Sequence, residues 1–145
     1  MVEAGGVDKM YRTAASLQAM GDGVASLRDD DVQPKEEDEK KFIKAGGTVF
    51  KWTEGWAIEA ELFDCVSDDV ILELWAYVKK LHGKQRVLDN LRTACEGPVD
   101  PEIWFDDLDD EKREKLAIAA GNGSWFKRIS HMEEAAYSII CPHLD

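Results

Sequence analysis

Residues 24–34 read VASLRDDDVQP, and the junction inside this stretch decides the fold. A short apolar run, Val24 to Leu27, is followed closely by three successive aspartates, Asp29, Asp30 and Asp31. An ionised carboxylate is costly to desolvate, and neighbours of like sign repel. Three in a row are tolerated where water solvates them or where a cation sits among their oxygens. If the apolar run is a strand, alternation sends Asp29 and Asp31 to one side and Asp30 to the other.

The flanking sequence supports a strand. Upstream, DKMYRTAASLQAMG (8–21) spaces Met10, Ala14, Leu17 and Met20 near a helical period, with Asp8 as an N-cap and Gly21 as a stop. Before it, MVEAGG (1–6) reads as a short strand running into a glycine turn. Downstream, PKEEDEKKFIKAGG (34–47) places acids early and lysines late, which suits the helix dipole, and Gly46-Gly47 closes it. TVFKW (48–52) is β-branched and aromatic, a third strand. Strand, helix, strand, helix, strand is the order of a parallel sheet with crossover helices.

After Thr53 the pattern becomes helical. Ile58, Leu62, Cys65 and Val66 share one face, and Ser67 caps a following helix carrying Val70, Leu74, Val78 and Leu81. KQRVLDNLRTACEG (84–97) is amphipathic and ends at Gly97. An acidic, proline-punctuated loop (98–115) leads into a helix that ends at Gly121, and a last helix starts near Ser124 and stops at Pro142. The expected organisation is a sheet domain over 1–53 and a helical C-terminal region over 54–145 packed on it.

The totals narrow the function classes. Hydrophobic residues make up 44% of the 145, enough for a core. The net charge is −12, which repels nucleic acid and anionic membrane unless cations or a basic partner intervene. Cys65, Cys95 and Cys141 are odd in number and widely spaced, so they read as thiols in a reducing cytoplasm rather than as a disulfide or zinc framework. No run approaches the ~20 apolar residues that cross a bilayer, and the N-terminus lacks a signal-peptide pattern. A soluble cytoplasmic protein is expected.

In an open parallel sheet, ligands bind outside the carboxyl ends of the strands. Asp29 and Asp31 fall at such an end, and a hard divalent cation such as Mg²⁺ would remove their mutual repulsion. A solvated acidic turn is the competing reading.

Four stretches in order carry a resemblance: the GG turn and its helix, LQAMGDGVASLRDDDVQP (17–34) with AGGTVFKW (45–52), EGWAIEAELF (54–63), and GSWFKRISHMEEAA (123–136). Together they resemble the Toprim domain and C-terminal region of the OLD (overcoming lysogenization defect) family of ATP-dependent nucleases, over roughly residues 2–143. The resemblance implies an α/β fold with a partial Toprim, Rossmann-like sheet of three mainly parallel strands. It implies that Asp29 and Asp31 hold Mg²⁺ or Mn²⁺, with Glu59 as a further ligand and Glu61 as the neighbouring alternative. It implies that Lys127 faces the scissile phosphate of DNA. Metal-assisted phosphodiester hydrolysis needs these groups: carboxylates to hold the ion that activates water, and a lysine to offset developing charge.

The chain departs from the family in two respects. It has no GxxxxGK[ST] loop, so ATP would act only through an ATPase outside this chain. The first Toprim strand, with its catalytic glutamate, has no counterpart if MVEAGG aligns with the family's second strand; Glu3 is the alternative. The chain is therefore expected to be the C-terminal portion of a larger nuclease, completed by an ATPase and an N-terminal Toprim part. A truncated sheet would leave an open edge that invites pairing, including with a second copy. Two other readings stand beside it. One is a non-catalytic interaction or regulatory module, or an inactive remnant, on the same scaffold. The other is a generic α/β domain with a phosphoacceptor-like aspartate and Lys51. Glu59 has a purely local reading, because acids are favoured at helix starts, and Lys127 can equally be a solvated lysine. Trp125 and Phe126 read as core anchors, and His82, His131 and His143 show no ligand spacing.

Overall fold

The computed structural model describes residues 6–144. The chain divides into two compact units, Met1–Ile58 and Glu59–Asp145. The fold is mixed α/β and mostly helical.

In the first unit, helix α1 (Val7–Ala19) precedes strand β1 (Ala25–Arg28), helix α2 (Glu36–Lys44) and strand β2 (Thr48–Lys51). The strands pair in parallel, Ala25 opposite Thr48 through Arg28 opposite Lys51. Among the described residues the sheet has these two strands. The third expected strand, MVEAGG, lies outside the described residues apart from Gly6. Helix α2 forms where its charges favour it: Glu36 to Glu39 fill the first turn, and Lys41 and Lys44 the last. Helix α1 starts one residue before the expected cap. Gly6, at φ 105°, takes the N-cap and its carbonyl accepts from Lys9 and Met10, which leaves Asp8 inside the first turn. Tyr11, Ala14 and Phe42 form a small core between α1 and α2, with Val24, just before β1, and Val49 of β2 against it.

The second unit is helical. Helix α3 (Ile58–Cys65) opens at the unit boundary, followed by α4 (Asp68–His82), α5 (Lys84–Ala94), α6 (Pro101–Trp104), α7 (Asp110–Gly123) and α8 (Ile129–Ala135). A π-helical turn, Ala136–Ile140, and a 3₁₀ turn, Cys141–His143, end it. Ser67 caps α4, its Oγ accepting from the Val70 amide. Ile71, Leu74 and Val78 of α4, Val87 and Leu91 of α5, and Leu116 of α7 are fully buried. The Trp75 ring lies 5.8 Å from Trp125 and 5.0 Å from Phe105. Arg113 of α7 binds the end of α3: Nη1 donates to the carbonyls of Phe63 at 2.7 Å and Val66 at 2.8 Å, and Nη2 pairs with Asp68.

Three expectations are corrected here. The acidic stretch after Gly97 holds a short helix, α6, because Pro101 suits a first helical position and Asp100 caps the Glu102 amide at 3.0 Å. Helix α7 runs two residues past Gly121 and ends where Ser124 turns left-handed, at φ 54° and ψ 44°. The last helix starts at Ile129 instead of Ser124, because Trp125 and Phe126 first turn into the core. No described helix is long and apolar enough to cross a membrane.

Candidate functional site at the end of strand β1

Strand β1 alternates cleanly. Ser26 and Arg28 are buried, and Ala25 and Leu27 are exposed. The alternation continues past the strand: Asp29 is exposed, Asp30 buried and Asp31 exposed. Partners in the parallel register share a face, so Ser26, Arg28, Val49 and Lys51 lie on the side of α2, where Arg28 reaches Glu39 at 3.1 Å. Leu27 and Phe50 share the opposite face and are 59% and 57% exposed.

The middle aspartate is the structural one. Asp30 is 2% exposed and its carboxylate meets three donors. Arg28 Nη1 lies 2.9 Å and Lys51 Nζ 3.2 Å from Oδ1, and the Gly55 amide donates to Oδ2 at 3.1 Å. Gly55 presents that amide from φ 80°, a conformation that favours glycine. The Asp30 amide in turn donates to the Trp56 carbonyl at 2.9 Å. Chiefly through the Gly55 amide, with Lys51 assisting and burial opposing, the Asp30 carboxyl is held down at about 2. Arg28 completes a buried chain: Nη2 donates to Glu39, and the Tyr11 hydroxyl donates to the same Glu39 oxygen at 2.6 Å. Sequence reading treated Asp30 only as the odd member of the triplet. Arg28, Asp30 and Lys51 fall on one face only once the register is known, so the sequence alone did not single it out.

Asp29 and Asp31 are left facing solvent together. Asp29 Oδ1 accepts from the Ile58 amide at 3.1 Å, which ties the turn after β2 to the end of β1. Both residues border a groove of about 1170 Å³ that also touches Leu17, Leu27, Phe50 and Trp52. The donor set suits a hard cation: carboxylate oxygens with no sulfur or imidazole among them, at a strand end. Mg²⁺ is commonly held by one or two carboxylates and otherwise by water and phosphate, and Asp29 and Asp31 are donors of that kind. Among the described residues no group of three or more His, Cys, Asp or Glu side chains is arranged to hold a metal.

The remaining candidates belong to the second unit. Glu59 and Glu61 are half-buried in the first turn of α3. Lys127 is exposed in the link between α7 and α8, next to the buried Trp125 and Phe126. His82 and His131, which lie far apart in sequence, meet edge-on with ring centres 5.7 Å apart, and His82 Nε2 lies 3.0 Å from the Trp125 carbonyl.

Comparison of the chain with protein-family models, with curated proteins and with solved structures gives no match.

Proposed function

We propose that this chain is the C-terminal portion of a metal-dependent DNA endonuclease of the Toprim type, coupled to an ATPase outside the chain. The observation that carries this reading is the sorting of the three aspartates. Arg28, Lys51 and Gly55 take Asp30, and Asp29 and Asp31 stay exposed at the carboxyl end of a parallel strand. Asp29 and Asp31 would hold Mg²⁺ or Mn²⁺. The ion would supply an activated water and screen the phosphate. At a net charge of −12 the grip on DNA would come mainly from the rest of the enzyme. An N-terminal Toprim part would complete the enzyme, and the protein would act in the cytoplasm.

The test is a Mn²⁺ titration of the whole chain beside Asp29→Asn/Asp31→Asn. Saturable binding that the double variant loses supports the reading. No binding, or binding that survives the substitutions, removes it.

A second reading, a non-catalytic interaction module, is favoured by the exposure of Leu27 and Phe50 on one face of the sheet.

A further inference from the structure

The groove beside β1 has three properties that together describe an occupant. First, it runs along the edge of β1 that faces away from β2. It touches every residue from Val24 to Asp29, members of both alternation sets, whereas β2 itself contributes only Phe50. The Val24 carbonyl accepts from the Thr48 amide at 3.2 Å, so the backbone groups of Val24, Ser26 and Arg28 point at β2. Those of Ala25 and Leu27 therefore point the other way, towards the groove. Among the described residues no strand pairs on that side.

Second, the groove is apolar, walled by Met10, Ala14 and Leu17 of α1 and floored by Leu27 and Phe50. Third, its charge is one-sided. Asp22 stands near one end of β1, and Asp29 and Asp31 stand at the other. Among the described residues the one lining cation is Arg28, which is already held by Asp30 and Glu39. Two lining residues also keep buried polar atoms without a hydrogen-bond partner, Ser26 Oγ and Arg28 Nε.

We propose that this groove takes an extended, cationic segment of a protein partner, which adds to β1 as a further strand. Its backbone pairs with the outward amides and carbonyls of Ala25 and Leu27. Its side chains on one face lie against Leu27 and Phe50, and those on the other lie against Leu17 of α1. Its terminal lysines or arginines lie opposite Asp22 at one end and Asp29 and Asp31 at the other. The proposal does not rest on the metal reading.

The test uses the full chain in EDTA, so loss of peptide binding and loss of Mn²⁺ binding are read separately. The probe is a blocked, fluorescently labelled heptapeptide in which valine alternates with threonine between terminal lysines. Anisotropy should show saturable binding, weaker by at least about tenfold for the same peptide flanked by glutamates and for one N-methylated at alternate amides. Ala25→Pro should weaken binding similarly, because it removes an outward donor and spares the ladder to β2. The N-methylated peptide keeps the test decisive if that variant is unstable. Absence of saturable binding, or equal binding of the N-methylated peptide, overturns the proposal. So does concentration-dependent self-association that Ala25→Pro abolishes, which would assign the edge to a second copy. Binding that appears only after removal of residues 1–5 also overturns it, by assigning the groove to this chain.

Discussion

Arg28 and Asp30, two residues apart on one face of β1, form a buried ion pair at 2.9 Å. Lys51 on the neighbouring strand joins it at 3.2 Å. A buried carboxylate left without its partners is strongly unfavourable, so the pair fixes which aspartate turns inward. The exposure of Asp29 and Asp31 follows from it.

Asp30→Asn should therefore destabilise the first unit in a pH-dependent way. The Asp30 carboxyl is depressed from 3.8 to about 2, chiefly by the Gly55 amide. A depressed carboxyl contributes stability above its unfolded pKa and loses it as pH falls through the folded one. Urea melts should show the variant less stable at pH 7, with a gap that is constant down to about pH 4 and narrows below it. A gap that is unchanged at pH 3 would mean that the shape of the side chain matters and its charge does not.

Tyr11 gives the opposite limb. Its hydroxyl is pushed up to about 12 by burial, then by its hydrogen bond to Glu39 and that residue's charge, with Arg28 opposing. A raised pKa contributes stability that is complete below the unfolded value and is lost as pH rises through the folded one. Tyr11→Phe should cost about 1.5–3 kcal/mol at pH 7, the worth of a hydrogen bond to a charged acceptor. Phenolate absorbance should lose one of two steps near pH 12, the other belonging to Tyr77, which is raised by burial and Glu134.

In the second unit Arg113 acts as a cap supplied from another helix. Its guanidinium serves the carbonyls of Phe63 and Val66 together with Asp68, and Nε reaches the Leu108 carbonyl at 3.3 Å. Carbonyls at the end of a helix have no partner within it. Arg113→Ala should cost about 2–4 kcal/mol, because several acceptors lose their donor at once. Arg113→Lys should recover less than half of that, since a point charge cannot serve the fork of sites. Chemical denaturation followed by tryptophan fluorescence reads both.

Much of the local structure was legible. The charge order of 36–44 and the β-branched residues of 48–50 specified α2 and β2, and Ser67 announced α4. The inward aspartate was not legible. Alternation separates Asp30 from its neighbours but does not say which side carries the helices. A strand with Arg28 on its buried side and Leu27 on its exposed side inverts the usual hydrophobic reading. The end of α7 was misplaced for a related reason. Glycine favours left-handed backbone, yet Gly121 and Gly123 stay helical and Ser124 takes that conformation.

Those two glycines give the last prediction, because they share a helix and should respond with opposite sign. Gly121 is exposed, and a Cβ there would meet nothing within 4 Å. Gly121→Ala should stabilise by about 0.5–1 kcal/mol, the ordinary helix preference for alanine. Gly123 is buried, and a Cβ there would lie 2.4 Å from Trp125 Nε1 and 2.6 Å from Asn90 Oδ1. Those atoms hydrogen-bond to each other at 3.2 Å across the space that the glycine leaves. Gly123→Ala must push them apart, expose an indole N–H without an acceptor and disturb the packing of Trp125 on Trp75. The expected net cost is about 1–3 kcal/mol after the helix preference is counted. Near-UV circular dichroism should lose tryptophan intensity in Gly123→Ala and keep it in Gly121→Ala. Equal stabilisation by both substitutions would show that the contact between Asn90 and Trp125 does not constrain this turn.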